Sequence, residues 1–153
     1  MAKRTQQKPG KGILIVTEDL GKGWKPMPMG EVQFREDHNY EHLEAARFFK
    51  GSRENKQAEL LAVVLGYSSV AAARKAYREV SEGLHEGQGI LPLEVGDESA
   101  HTEASLEGLI RMRVYLIRRK RNVAIFTLWM FLKECCDERW LGRLLQRQTD
   151  MMS

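Results

Sequence analysis

The chain has 153 residues, 42% hydrophobic and 29% charged, a balance that suits one globular domain with its own core and excludes a disordered or fibrous protein. Its net charge of +3 hides an asymmetry, because residues 111–147 hold ten basic against three acidic residues while residues 1–110 hold fourteen against seventeen. The two cysteines, Cys135 and Cys136, are adjacent, badly placed to bridge one another and without zinc-site spacing, so a reducing, cytoplasmic setting is expected.

In chain order, residues 1–11 form a basic, apolar-poor tail carrying Lys3, Arg4, Lys8 and Lys11, and the apolar run behind it, residues 13–16, is too short for an export signal. Residues 13–17 and 31–35 are strand candidates that can pair as a small β-ribbon across a Gly, Pro and Met-rich loop around Trp24. Leu43, Ala46, Phe48 and Phe49 predict a helix over residues 40–50 that ends at Gly51, with Ser52 capping the next. His38, Glu41 and His42 spell the H-x-x-E-H pattern of inverted zinc peptidases, in which two histidines hold zinc and the glutamate acts as base. No third ligand follows in a supporting context, so a solvated helical turn is the preferred reading and no metal is expected.

The most specific signal is residues 58–80. Leu60, Leu61, Val64 and Leu65 recur at helical spacing, Gly66 suits a left-handed C-cap, and Ser68 or Ser69 can cap a second helix running to about Val80. In that helix Val70, Ala73, Ala76, Tyr77 and Val80 share one face, leaving Arg74, Lys75 and Arg78 on the others. Two helices about a Gly-Tyr-Ser-Ser corner resemble the helix-turn-helix segments of AraC-like activators and some phage terminase small subunits, with Lys75, Tyr77 and Arg78 at matching positions. The resemblance covers 23 residues. It implies that the second helix enters a major groove of double-stranded DNA, with Ser68, Ser69, Arg74, Lys75 and Arg78 as contacts. The alternative at this point is an ordinary helical hairpin in a core.

Residues 83–97 are rich in glycine and form a break, within which residues 90–95 can make a short edge strand. From residue 102 to 148 there is no proline, and Leu109, Leu116, Val123 and Met130 recur seven apart, which predicts one long helix or two. Residues 123–132 are apolar almost all round, so they must be buried in the core or against a partner, and ten residues cannot span a bilayer, which takes ~20. Beside them Arg118, Arg119, Lys120 and Arg121 invite a polyanion, or else serve as a solvated face or pair with Glu98, Glu103 and Glu107.

The resulting expectation is a mainly α protein, small α+β being possible. It has a basic tail at 1–11, an N-terminal domain at 12–98 with a helix-turn-helix at 54–82, and a C-terminal helical region at 99–150 that packs on the first part or dimerises. Neither a phosphate-binding loop nor a nucleophile setting is legible, so no enzymatic activity, cofactor or small-molecule substrate is expected. The functional expectation is a cytoplasmic DNA-binding regulator of phage or plasmid type, homodimeric through its C-terminal helices. The alternative is a protein-interaction module, an inhibitor or assembly factor of a mobile element, without nucleic-acid contact.

Overall fold

The structure, a computed structural model, describes residues 13–29, 40–85, 91–92, 95–106, 110–132 and 136–152. In chain order it contains α1 (Thr17–Leu20), β1 (Trp24–Met27), β2 (His42–Gly51), β3 (Lys56–Gly66), α2 (Val70–His85), β4 (Leu91–Pro92), β5 (Glu98–Leu106), β6 (Ile110–Arg119), β7 (Asn122–Met130) and α3 (Glu138–Met151). The strands form one seven-stranded antiparallel sheet in the order β1-β2-β3-β7-β6-β5-β4. Two meanders therefore meet at the centre: β1 to β3 build inwards from one edge, α2 crosses the sheet, and β4 to β7 return from the other edge.

This overturns the mainly α expectation. Residues 58–65, read as the first helix of a helix-turn-helix, lie in β3, and residues 40–50, read as a helix, are largely β2. The long C-terminal helix is instead three strands and one shorter helix, α3. The physical reason is burial on both faces. Central strands covered by helices above and below read as continuous apolar runs, which periodicity alone cannot separate from a buried helix. In β3, Ala58, Leu60, Ala62 and Val64 face one layer while Val63 and Leu65 face the other, and both sets are buried. In β7, Phe126 and Leu128 are buried on the first face and Val123 on the second, so the apolar stretch 123–132 is packed largely within its own chain.

Gly66 has a role other than the expected left-handed cap. It ends β3 between His42 of β2 and Asn122 of β7, where a Cβ would lie 3.3 Å from both the Asn122 Oδ1 and the His42 Cβ. The second helix of the predicted pair does exist, and Ser69 caps it: the Ala72 N–H donates to its hydroxyl at 3.0 Å. Ala73, Ala76 and Tyr77 are buried against Val63, Leu65, Leu116 and Val123 as the spacing requires, but Val70 is exposed.

The opposite face is covered by α3 and the N-terminal segment. Leu141, Leu144 and Leu145 pack on the sheet with Leu14, Ile15 and Leu20, each such burial contributing roughly 1.5–3 kcal/mol. Residues 13–15, expected in a ribbon, satisfy their backbone elsewhere: the Ile15 N–H donates to the Gln148 Oε1 at 3.0 Å, and the Gln148 amide donates to the Ile13 carbonyl. Gln148 is fully buried, so α3 does for this segment what a neighbouring strand would have done. Asp137 caps α3 by accepting from the Trp140 N–H at 2.7 Å, a bond that holds its carboxyl below the usual carboxylate range. Trp140 stacks on Trp24 at 5.3 Å and donates its indole N–H to the Leu20 carbonyl.

The expected strand at 90–95 is present in short form as β4, at the sheet edge. The expectations for the tail at 1–11, the strand at 31–35 and His38 lie outside the described residues.

Candidate functional site

The residues expected to meet DNA are distributed over one end and one side of the molecule. Arg74, Lys75 and Arg78 are exposed along α2, interspersed with the exposed acids Glu79 and Glu82. Ser68 and Ser69 lie at its start, and the Tyr67 N–H donates to the Arg121 carbonyl at 2.9 Å, which places the β6–β7 turn beside them. Lys120 takes the first position of that two-residue turn at φ 56°. Without a first helix the segment is not a helix-turn-helix, and α2 packs flat on a sheet.

The basic run is largely neutralised by acids that tertiary structure supplies. Arg118 is buried, paired with Glu98 and, at 3.5 Å, with Asp97, and it also donates to the Lys120 carbonyl. Arg119 reaches Asp150 at 3.9 Å and the Thr149 carbonyl at 3.5 Å. Arg111 and Arg113 both hold Glu103, and Arg113 also holds Glu138 at 2.9 Å. Of the three readings of this stretch, pairing describes Arg118 with Glu98 and Arg111 and Arg113 with Glu103, while Lys120 and Arg121 are exposed.

Around Arg113 gather Glu103, Arg111, Tyr115, Glu138 and His101. Burial opposes the Arg113 charge, but hydrogen bonds to Glu103, Tyr115 and Glu138 outweigh it and raise its pKa. The same contacts, from Arg111 first and then Arg113, hold the Glu103 carboxyl below its usual range. Burial pushes the Tyr115 phenol up to about 12. His101 stacks on Tyr115 at 5.4 Å, and burial followed by the Arg113 guanidinium lowers its pKa, which favours the neutral ring. These groups satisfy one another and tie β5 and β6 to the start of α3. His101 Nδ1 is the exception, buried without a hydrogen-bond partner.

A different region offers surface rather than internal pairing. The strand registers set two lateral rows on the α2 side of the sheet beyond the rows that α2 packs on: Lys25, Phe49, Glu59, Trp129 and Met112, then Met27, Arg47, Leu61, Thr127 and Val114. Leu61, Met112, Thr127 and Trp129 remain partly exposed, and Leu132 just beyond β7 is 53% exposed. At the β1 end the rows run into a pocket of about 270 Å³ lined by Pro26, Met27, Pro28, Phe49, Arg53 and Lys56. Phe49 forms its buried floor, with the Lys56 ammonium 5.9 Å from the ring centroid. Lys56 and Arg47 share Glu59, each at 3.4 Å, while Arg53 makes no ion pair with another described residue.

Of these pocket residues only Phe49 was named from the sequence, as an apolar position of a helix, and none as a site residue. Two signals were available: the Gly-Ser-Arg-Glu-Asn run at 51–55, which suits a hairpin turn, and the Pro-flanked Met27, which suits a sheet edge. Both were outweighed by the helical reading of residues 40–50.

No protein-family model and no curated protein matches this sequence. Among solved structures, the chain is similar to the extracellular domain of PknH from Mycobacterium tuberculosis, with a TM-score of 0.63 and 8% identity, over 90% of this chain and 91% of that one. At that identity the likeness concerns the fold, a β-rich domain, and it agrees with the sheet rather than with a helix-turn-helix protein. No described helix is long and apolar enough to cross a membrane.

Proposed function

We propose that this protein is a non-catalytic protein-interaction module that engages its partner through the two sheet rows beyond α2. The observation that carries the reading is the partly exposed set Leu61, Met112, Thr127 and Trp129 on a rigid central sheet, continuous with an aromatic-floored pocket. Trp, Met and Phe are the residue types enriched in interface cores, and strands hold them at fixed spacing on a backbone that is ordered before binding. The cations at the pocket end, Lys25, Arg53 and Lys56, favour a partner with apolar residues flanked by carboxylates. In keeping with a non-catalytic role, Arg111 and Arg113 both pair with Glu103 and hold its carboxyl below the usual range.

The test is site-specific photo-cross-linking in the native host, with a photoreactive side chain at position 129 or, as control, at position 74 on exposed α2. The expected result is one discrete adduct from position 129, lost when Leu61→Arg is added and absent from position 74. Equal adducts from both positions, or survival of the adduct with Leu61→Arg, would overturn the assignment.

A further inference from the structure

We infer that the pocket between β1 and the β2–β3 turn receives the C-terminal residue of the partner chain, an apolar side chain with its own carboxylate; this rests on the interaction-module reading and names its anchor. The size argument comes first. Small-molecule sites run to roughly 300–1,000 Å³, and this pocket, at about 270 Å³, lies below that range and suits one large side chain. Its floor and walls are Phe49, Pro26, Met27 and Pro28, so the group that enters is apolar.

The charge argument fixes what accompanies that group. Arg53 stands at the rim with no ion pair to another described residue, and Lys56 gives only a long, shared contact to Glu59. Lys25, exposed, is the cross-strand partner of Phe49. Among the described residues, the acids of this neighbourhood are Glu59, which already serves two cations, and exposed Glu54 in the turn, so their charge is outnumbered by Lys25, Arg53 and Lys56. A guanidinium of this kind takes a carboxylate through two parallel hydrogen bonds. One terminal residue brings both features in a single unit, whereas an internal aspartate or glutamate must be added by a second residue with its own ordering cost.

The turn that carries Arg53 is set in advance. The Asn55 N–H donates to the Ser52 hydroxyl at 3.0 Å, and Gly51 sits at φ +104°, where a Cβ would come within 2.6 Å of the Asn55 carbonyl oxygen. The backbone under the guanidinium is therefore fixed before the ligand arrives, although the long side chain above it must still be ordered. Pro26 has a matching effect on the opposite wall. The Gly51 N–H donates to the Gly23 carbonyl, which turns the alternate residues Trp24 and Pro26 to the outer edge of β1, where no described strand pairs. A proline at that edge offers no N–H to an added strand, which favours side-chain capture over strand addition.

The probes are N-acetylphenylalanine, N-acetylphenylalaninamide and N-acetylglycine, titrated into the full ¹⁵N-labelled chain and followed by amide chemical shifts. The expected result is saturable shifts at residues 25, 27, 49 and 53–56 for the first, with the amide about tenfold weaker for want of the charge-assisted bonds and no saturation with N-acetylglycine. Arg53→Gln, exposed and remote from the core, is expected to keep the spectrum of the folded chain and to abolish the preference for the acid. Leu61→Arg, which breaks the wider interface, is expected to leave N-acetylphenylalanine binding intact. Equal affinity for acid and amide, or shifts absent from these residues, would overturn the pocket assignment while a position-129 adduct still upheld the interaction module.

Discussion

The two faces of the sheet are built from alternate residues of the same strands and end in different states. The α3 face is closed: Leu14, Ile15 and Leu20 join Leu141, Leu144 and Leu145 over Phe126 and Leu128, with Gln148 and Trp140 satisfying the backbone groups that would otherwise be stranded. The opposite face is closed by α2 over Val63, Leu65, Leu116 and Val123, and leaves Leu61, Met112 and Trp129 partly exposed. One face is thus committed to stability while part of the other remains able to exchange water for a partner.

The sharpest way to break that contrast is within β7, where Phe126 and Trp129 point to opposite faces. Phe126→Ala should cost about 3–5 kcal/mol in denaturant unfolding, because it leaves a cavity in the closed core. Trp129→Ala, removing a side chain that is only partly buried, should cost less than half of that; a larger loss would mean that this face is a closed core too. Next in size is Gln148→Ala, expected to cost about 2–4 kcal/mol, since it strands the Ile15 N–H in a buried site and the Ile13 carbonyl in a partly buried one. Gln148→Glu should be no rescue, because a carboxylate cannot donate to the Ile13 carbonyl.

On the other face, Ser69→Ala should cost about 1 kcal/mol through loss of the α2 cap and shift the melting temperature without altering the adduct at position 129. The smallest effect concerns pH. The folded state holds the His101 pKa below its unfolded value, so His101 contributes no penalty at neutral pH. Stability then falls as pH drops through the ordinary histidine pKa near ~6.5, where only the unfolded chain takes up the proton, and the loss levels off below the lowered folded value. His101→Phe should flatten this part of the melting-temperature profile, whereas an unchanged slope would show that another group carries it.

How much of this was legible in the sequence varies by element. The second helix of the corner, its serine cap and its buried Ala73, Ala76 and Tyr77 could be read locally, because capping and helical spacing are properties of a few consecutive residues. The edge strand in the glycine-rich break could be read for the same reason, from its flanking glycines and Pro92. Residues 58–65 could not, because Leu60, Leu61, Val64 and Leu65 satisfy a helical template while residues 60–65 are apolar on both strand faces. The basic stretch 118–121 could be read locally as a polyanion site, a solvated face or a partner of Glu98, and only the register of β5 against β6 brings Glu98 opposite Arg118 while Lys120 and Arg121 stay exposed. The pocket depends on β1 pairing with β2 across a separation of twenty residues or more, which no local pattern encodes.

The sequence by itself determined one helix with its cap, a break at Gly51, and that much of residues 123–132 is packed on both sides. Tertiary structure alone decided that the apolar runs are strands, which face each residue serves and which charges remain unpaired. The reason is that a helix closes its hydrogen bonds within a few residues, whereas a strand closes them with a neighbour chosen by the whole fold.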